Sequence, residues 1–133
     1  MQQVGISTKS RVEFQEITAT VAEAVRASGI QSGVCYLFVP HTTAGITVNE
    51  HADPSVVDDI ETQLEAMVPQ HRSYRHMEGN APAHIKASLI GSSLALPVDS
   101  GRLVLGTWQG VFFCEFDGPR QRHLLIKVIP DKP

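Results

Sequence analysis

Residues 33–39 read GVCYLFV, and residues 40–51 continue as PHTTAGITVNEH. The first segment is short, continuously apolar and rich in β-branched and aromatic side chains, which predicts a strand buried on both faces. Pro40 disfavours helix at the preceding residue and keeps the chain extended. Two imidazoles, a carboxylate, an amide and three hydroxyls then follow within eleven residues. So many hydrogen-bonding groups at a strand end indicate a functional site.

The segments around this stretch predict one α+β domain over residues 1–133. Helices are expected over 17–28, with Gly29 as the stop, from the Asp53-Pro54 cap to Pro69, and over 84–90. In the second helix the expected core stripe is Val57, Ile60, Leu64 and Met67, and the expected outer face is Asp58, Asp59, Glu61 and Glu65. Strands are expected over 2–7, 33–39, 46–48, 93–98, 102–107, 110–116 and 122–129, with a hairpin turn at 99–101. Helices come early and strands late, which favours a single compact α+β domain with antiparallel or mixed sheets.

The composition is that of an ordinary globular domain. A net charge of −3 with 42% apolar residues gives no basis for a nucleic-acid or membrane partner. Cys35 and Cys114 each lie in an apolar run, which predicts buried free thiols. The chain opens without a signal-peptide pattern, and we expect a cytoplasmic location.

The polar run contains the first candidate residues. His41 is suited to acid–base chemistry near neutral pH, and Glu50 to the role of a base, a metal ligand or the partner of a histidine. Hydrogen bonds to a phosphate or carboxylate are expected from Thr42, Thr43 and Asn49. Gly45 indicates either an unusual backbone conformation or a close approach of another part of the chain. The alternatives are a surface histidine, ordinary turn capping and a carboxylate at a helix N-terminus; His51 is expected on the surface.

A second cluster reads HIKAS at residues 84–88. Pro82 suggests that a helix starts just before it, so His84 and Ser88 share one face of that helix. First-turn N–H groups, Lys86 and Ser88 together would suit an anion. The alternative is that Lys86 is a solvated surface lysine.

A third cluster, GTWQG at residues 106–110, contains the only tryptophan. Trp108 would suit stacking on a heteroaromatic ring, with Thr107 and Gln109 beside it; the alternative is a core or interface aromatic. Further along, Glu115 alternates with Val111 and Phe113, so it needs a partner if it is buried. Arg120 and Arg122 are the candidate partners.

Common catalytic and metal motifs are absent from the sequence. It contains no CxxC, HExxH, acidic calcium loop, phosphate loop or nucleophile elbow. A three-ligand metal site built from His41, Glu50 and His84 is left open, with Mg²⁺ or Zn²⁺ as the candidate cofactor.

The three clusters together resemble the signature segments of the YjbQ family: HTTAGITVNE at 41–50, HIKASLIG at 84–91, and GTWQG at 106–110 followed by Glu115. The similarity extends over nearly the whole chain, including the DGPR turn at 117–120. It implies a compact α+β domain with extensive β-structure, assembled as a homotrimer. It also implies a thiamine-phosphate-synthase-like activity, described for the family as secondary, in which a thiazole phosphate displaces pyrophosphate from an aminopyrimidine methyl pyrophosphate.

The resemblance also assigns roles to individual residues. The positions that match the family's motifs are His41, Asn49, Glu50, His84, Lys86, Trp108, Gln109 and Glu115, and all of them, Glu115 included, are expected in the site. The leading hypothesis is therefore a transferase for small phosphorylated heteroaromatic substrates, with His41, Glu50 and His84 as catalytic groups. The alternatives are a binding protein for a small anionic metabolite and a metal-dependent hydrolase. One departure stands out: many members carry a histidine where this chain has Pro82, so a metal site using that histidine is not expected here.

These assignments make a geometric prediction. His41, Glu50, His84 and Trp108 are expected around one concave site, at or near a subunit boundary.

Overall fold

The computed structural model describes residues 1–132. Over this range the chain forms eight strands and three helices. In chain order they are β1 (Gln2–Ser7), β2 (Glu13–Glu16), α1 (Thr18–Ser28), β3 (Gly33–Phe38), β4 (Ala44–Glu50), α2 (Pro54–Met67), α3 (Ala81–Ile90), β5 (Ser93–Asp99), β6 (Arg102–Leu103), β7 (Gln109–Glu115) and β8 (Gln121–Pro130).

The strands form two antiparallel sheets. One has five strands in the order β1-β8-β3-β5-β6, and the other has three in the order β2-β7-β4. The register pairs Phe38 of β3 with Leu125 of β8, and Ala44 of β4 with Glu115 of β7. The predicted α+β class with three helices and largely antiparallel sheets is confirmed.

Two apolar clusters hold the layers together. The larger lies between the sheets and α1, and it includes Val21, Leu37, Ile46, Phe113 and Leu124. The smaller lies on the other side of the three-stranded sheet, where α2 and α3 cover it; it includes Leu64, Ala87, Phe112, Cys114 and Phe116. Since β7 contributes to both clusters, it is the strand that is buried on both faces.

The predicted helix ends are confirmed at two places. Gly29 follows α1 with a φ of 71°, in the left-handed region that glycine adopts without strain. Before α2, the Asp53 carboxylate accepts the Ser55 N–H at 3.0 Å, and Pro54 occupies the first helical position. The hairpin turn between β5 and β6 is also present, with positive φ at Ser100 and Gly101.

The prediction for β3 is wrong in one respect. Its residues alternate between buried and exposed, and Val34, Tyr36 and Phe38 are 38%, 40% and 36% exposed. Within residues 1–132 nothing covers the outer face of the five-stranded sheet. A continuously apolar strand therefore presents half of its side chains to solvent in the single chain.

The outer face of α2 is also different from the prediction. Met67 is 57% exposed, whereas Glu61 and Glu65 point to neighbouring elements. The Glu61 carboxylate accepts the Phe14 N–H of β2 at 3.1 Å, and Glu65 forms an ion pair with a lysine of α3.

Two strands differ from the prediction. Strand β2 is not predicted by the sequence, and β6 is shorter than the predicted 102–107. Both are edge strands, whose few pairing residues leave little pattern in the sequence.

Both cysteines are buried and unpaired, as predicted. Burial raises the pKa of the Cys35 thiol to about 11, and it raises the pKa of Cys114 as well. None of the three helices is long and apolar enough to cross a bilayer.

Candidate functional site

A cleft of about 380 Å³ opens where the polar run meets α3. One wall is formed by His41, Thr42 and the start of β4, and the other by α3 with the two residues that follow it. The lining residues are His41, Thr42, Ala44, His84, Ala87, Ser88, Gly91 and Ser92. The structure therefore brings together the first two clusters that the sequence singled out.

The end of α3 is tied directly to the strands beside it. The Ile46 N–H of β4 donates to the Gly91 carbonyl at 3.0 Å, and the Val39 N–H donates to the Ser92 carbonyl at 2.8 Å. A side chain at Gly45 would place its Cβ 2.8 Å from the Gly91 oxygen. Of the two alternatives for Gly45, the structure shows the close approach.

A hydrogen bond from the backbone of β8 fixes the tautomer of His41. The His123 N–H donates to His41 Nε2 at 2.9 Å, so that nitrogen carries no proton. Burial and, after it, the positive charge of Arg122 lower the pKa of His41 below its ordinary value. The neutral ring therefore carries its proton on Nδ1, which is left as a hydrogen-bond donor. The ring also stacks on His123, with centroids 6.1 Å apart.

A buried ion pair lies behind His41. Arg122 donates through Nε to Glu115 Oε1 at 2.8 Å and through Nη2 to the second carboxylate oxygen. The same Nη2 donates to Thr43 Oγ1 at 2.8 Å, and Thr8 donates to Glu115 at 2.7 Å. The prediction that Glu115 has an arginine partner is confirmed, and that partner is Arg122. Glu115 and Thr43 are both committed to this network, so neither lines the cleft as the sequence predicted.

His84 and Ser88 lie on the cleft side of α3, one turn apart. The Ser88 hydroxyl donates to the His84 carbonyl at 2.9 Å, which leaves its oxygen as an acceptor. The His84 ring lies edge-on to His76, with centroids 5.1 Å apart. His76 comes from the polar segment between α2 and α3, so that segment also contributes to the neighbourhood of the site.

Lys86 has a different role from the one predicted. It is 1% exposed and forms an ion pair with Glu65 of α2. Residues two apart on a helix point to nearly opposite sides, so Lys86 faces away from the cleft that His84 and Ser88 line. It fixes α3 to α2 and is not positioned to contact a ligand in the cleft.

The remaining predicted residues form a second group at the other end of β4. Glu50 pairs with Gln109 there, whereas Ala44 at the cleft end pairs with Glu115. Six residues of extended strand separate the two ends by about 20 Å. The members of this second group are Asn49, Glu50, Thr107, Trp108 and Gln109.

Local contacts hold most of this second group. The Asn49 side chain accepts the Glu50 N–H, the Glu50 carboxylate accepts the Ala52 N–H, and the Gln109 side chain accepts the Gly106 N–H. Trp108 is 63% exposed, so it is not a core aromatic. Convergence of His41, Glu50, His84 and Trp108 on one site does not occur within a single chain.

The same separation affects the predicted metal ligands. Residues 1–132 contain no group of three or more His, Cys, Asp or Glu side chains placed to hold a metal ion. His41 and His84 share the cleft, but Glu50 lies at the far end of β4. The third ligand of the predicted set is thus missing from this cleft.

Sequence reasoning did not select three residues near the site. His123 and His76 each contact a histidine of the cleft, and Ser92 lines it. His123 sits in a strand predicted from its apolar pattern, and the sequence around it does not alternate, so the face that His123 occupies could not be predicted. Nothing in the pattern around His76 distinguishes it from the other polar residues of its loop.

Comparison with known proteins identifies the family. The sequence profile described as "UPF0047 protein YjbQ-like" matches residues 2–131. The chain belongs to the YjbQ-like UPF0047 family. A UPF0047 protein of Methanocaldococcus jannaschii is 48% identical over 96% of this chain and 92% of its own length. The UPF0047 protein YugU of Bacillus subtilis is 49% identical over 93% of this chain and 95% of its own length.

Solved structures of YjbQ-like proteins have the same fold. A protein of the family from Clostridium acetobutylicum has a TM-score of 0.95 at 48% identity, covering 97% of this chain and all of its own. A protein from Sulfolobus solfataricus, described as of unknown function, has a TM-score of 0.94 at 38% identity, covering 98% and 96% of the two chains. The predicted family is confirmed.

The predicted function is wrong. UPF0047 relatives that match nearly the full length carry no activity in their descriptions, and the Sulfolobus structure is described as a protein of unknown function. Thiamine-phosphate synthesis therefore does not follow from membership of this YjbQ-like family. The function has to be argued from the cleft itself.

Proposed function

We propose that the cleft binds a small anionic metabolite, with His41 and His84 as its functional groups. The observation that carries this proposal is the arrangement of His41, whose Nε2 accepts a backbone N–H and whose Nδ1–H is thereby left to donate. A neutral imidazole fixed in this way keeps its proton on Nδ1, so the same nitrogen donates the hydrogen bond across the neutral pH range.

The other residues that line the cleft also favour an anionic ligand. It contains imidazoles and hydroxyls but no carboxylate. Within residues 1–132 the Thr42 and Ser92 hydroxyls have no side-chain hydrogen-bond partner, so both can turn towards a ligand. A volume of about 380 Å³ is suited to a small molecule.

We also propose that the protein is an enzyme in which His84 transfers a proton. Protonation of His41 at Nε2 would break the hydrogen bond that positions the ring, and loss of the Nδ1 proton would leave an imidazolate anion, so His41 is better suited to donate a hydrogen bond than to transfer a proton. The His84 ring has no hydrogen-bond partner within the described chain, which leaves it able to exchange a proton with a bound ligand.

Removing either histidine should weaken the binding of inorganic phosphate, used as the probe. We expect His41→Ala and His84→Ala each to lower phosphate affinity at least tenfold, the usual cost of losing one hydrogen bond to a charged group. His84→Ala should lower the free energy of unfolding by no more than about 1 kcal/mol, because His84 contributes little to the core. Isothermal titration calorimetry and thermal melts on the same preparations would measure both quantities.

His71→Ala is the matched control, since His71 is an exposed histidine of the loop that precedes α3. It should leave phosphate affinity unchanged. Unaltered phosphate binding in both His41→Ala and His84→Ala would show that the cleft is not an anion site.

We propose in addition that the chain assembles as a homotrimer through the outer face of the five-stranded sheet. Val34, Tyr36 and Phe38 of β3 are exposed there, and Ile129 of β8 is 46% exposed. His123 and Leu125 are two residues apart on β8 and therefore lie on this same face, and His123 stacks on His41. A neighbouring chain on this face would therefore border the cleft. The number three comes from the resemblance to the YjbQ family.

Light scattering should give a mass three times the 14.5 kDa of the chain. Tyr36→Glu should reduce the mass to that of a single chain, because it places a charge in the centre of the exposed apolar face. Glu23→Gln on the exposed side of α1 should leave the mass unchanged. A single-chain mass for the unaltered protein at micromolar concentration would contradict the trimer.

A further inference from the structure

A second cavity lies on the other side of the molecule from the cleft's α3 wall, between α1 and the β5–β6 turn. Its volume is about 500 Å³, and we refer to it as the α1–β6 pocket. The apolar part of its lining comes from Ala22, Ile30, Leu103 and Leu105. None of the residues assigned to the anion cleft contributes to it.

The rim of the α1–β6 pocket is polar and carries positive charge. Arg26 and Arg102 both line it, together with Gln31, and no aspartate or glutamate does. Arg26 is paired with Glu23 on α1, through Nε at 2.8 Å. Arg102 is exposed and has no ion-pair or hydrogen-bonding side-chain partner within residues 1–132. One guanidinium at the mouth is thus free to bind an anion.

The tight turn between β5 and β6 packs against Gln31. Ser100 and Gly101 have φ values of 52° and 74°, and the Gly101 N–H donates to the Gln31 carbonyl at 2.9 Å. A Cβ at Gly101 would lie 3.1 Å from Gln31 Nε2, so the Gln31 side chain packs directly on the turn. Arg102 follows the turn immediately. Gln31 and Arg102 are therefore both rim residues at this turn.

We propose that the α1–β6 pocket binds a small amphipathic carboxylate, separate from the ligand of the cleft. The carboxylate would pair with Arg102 beside the Gln31 amide, and the apolar body would cover Leu103, Leu105 and Ile30. The volume is within the range of small-molecule sites. An apolar lining with one free cation favours a ligand that has both an apolar part and a negative charge.

Titration of the full chain with hexanoate, followed by ¹H–¹⁵N NMR, tests the pocket directly. We expect saturable shifts at the amides of residues 29–31 and 100–105. Affinity should be about tenfold weaker for hexanamide, which lacks the charge. It should be weaker by more than about tenfold for acetate, which lacks the four methylene groups of the apolar body. Arg102→Gln should abolish the preference for hexanoate over hexanamide.

Ala22→Phe should block hexanoate and hexanamide alike, because it adds a ring to the pocket from an exposed position of α1. Arg75→Gln, which changes an exposed arginine of the loop before α3, should leave hexanoate binding unchanged. Circular dichroism of each variant would check that it is folded.

Three outcomes would overturn the proposal. One is equal affinity of the pocket for hexanoate and hexanamide, and another is hexanoate shifts that survive both Arg102→Gln and Ala22→Phe. A pocket covered by a second chain would give no hexanoate shifts, and Ala22→Phe would then lower the mass measured by light scattering.

Discussion

Replacing Glu115 by glutamine is expected to lower the free energy of unfolding by about 3–5 kcal/mol, the usual cost of breaking a buried ion pair. Glu115 is fully buried and Arg122 is 4% exposed. Glutamine keeps the shape of the side chain but leaves the guanidinium charge buried without its counter-ion. Urea unfolding at pH 7 would measure the change.

The pH dependence of this effect follows from the pKa of Glu115. Burial raises that pKa, but the hydrogen bonds from Arg122, the Asp117 N–H and Thr8 outweigh burial, so it lies below the ordinary 4.5. A depressed folded-state pKa contributes stability above the unfolded value that is lost as pH falls through the folded value. The difference between the wild type and Glu115→Gln should therefore be constant from pH 7 to about 5 and narrow below 4.5.

Two further variants test whether the loss of the ion pair, and not another change, is what lowers the stability. Glu115→Gln combined with Arg122→Met should recover most of the lost stability, because no unpaired charge is left in the core. Glu23→Gln, which breaks the exposed pair with Arg26, should have no measurable effect. A loss below about 1 kcal/mol for Glu115→Gln alone would show that the pair is not what stabilises this part of the fold.

The sequence predicted those parts of the fold that depend on local chemistry. Gly29 and Asp53-Pro54 mark helix ends through backbone preferences that act within a few residues, and both were identified correctly. The burial of β3 depends instead on what covers the sheet. Its apolar pattern is the same whether a helix of this chain, another chain or solvent lies outside Tyr36, so the sequence could not decide.

For a similar reason, only part of the candidate site could be predicted from the sequence. His41 and His84 were selected because polar groups at a strand end and a helix start are informative by themselves. They line one cleft because β4 and α3 are neighbours. The hydrogen bond from the Ile46 N–H to the Gly91 carbonyl joins these two elements. Glu50 is close to His41 in sequence, which predicts a shared site, but the extended strand places Glu50 about 20 Å from the cleft.

Lys86 is the residue for which sequence and structure disagree most in chemical terms. A lysine on the first turns of a helix, next to His84, suggests a phosphate ligand. In the structure its stem is buried between α2 and α3, and its ammonium group is paired with Glu65, which is 35% exposed. The pKa of Glu65 is affected first by burial, which raises it, but the hydrogen bond and charge of Lys86 leave it lowered overall.

Lys86→Ala is expected to lower the free energy of unfolding by about 2–4 kcal/mol, mainly through the loss of the buried stem and the cavity it leaves. The ion pair itself adds little, because Glu65 stays in contact with water. Lys86→Met retains most of the stem and should cost about 1 kcal/mol or less. Urea unfolding would measure both variants.

The affinity for phosphate then distinguishes the two roles of Lys86. Lys86→Met keeps α3 packed on α2, so the cleft keeps its shape and phosphate should bind as it does to the wild type. His84→Ala, on the cleft side of the same helix, should instead lose at least tenfold in affinity with little change in stability. If Lys86→Met weakened phosphate binding as much as His84→Ala, the lysine would be a ligand-binding residue, and the packing of α3 against α2 would not be its main role.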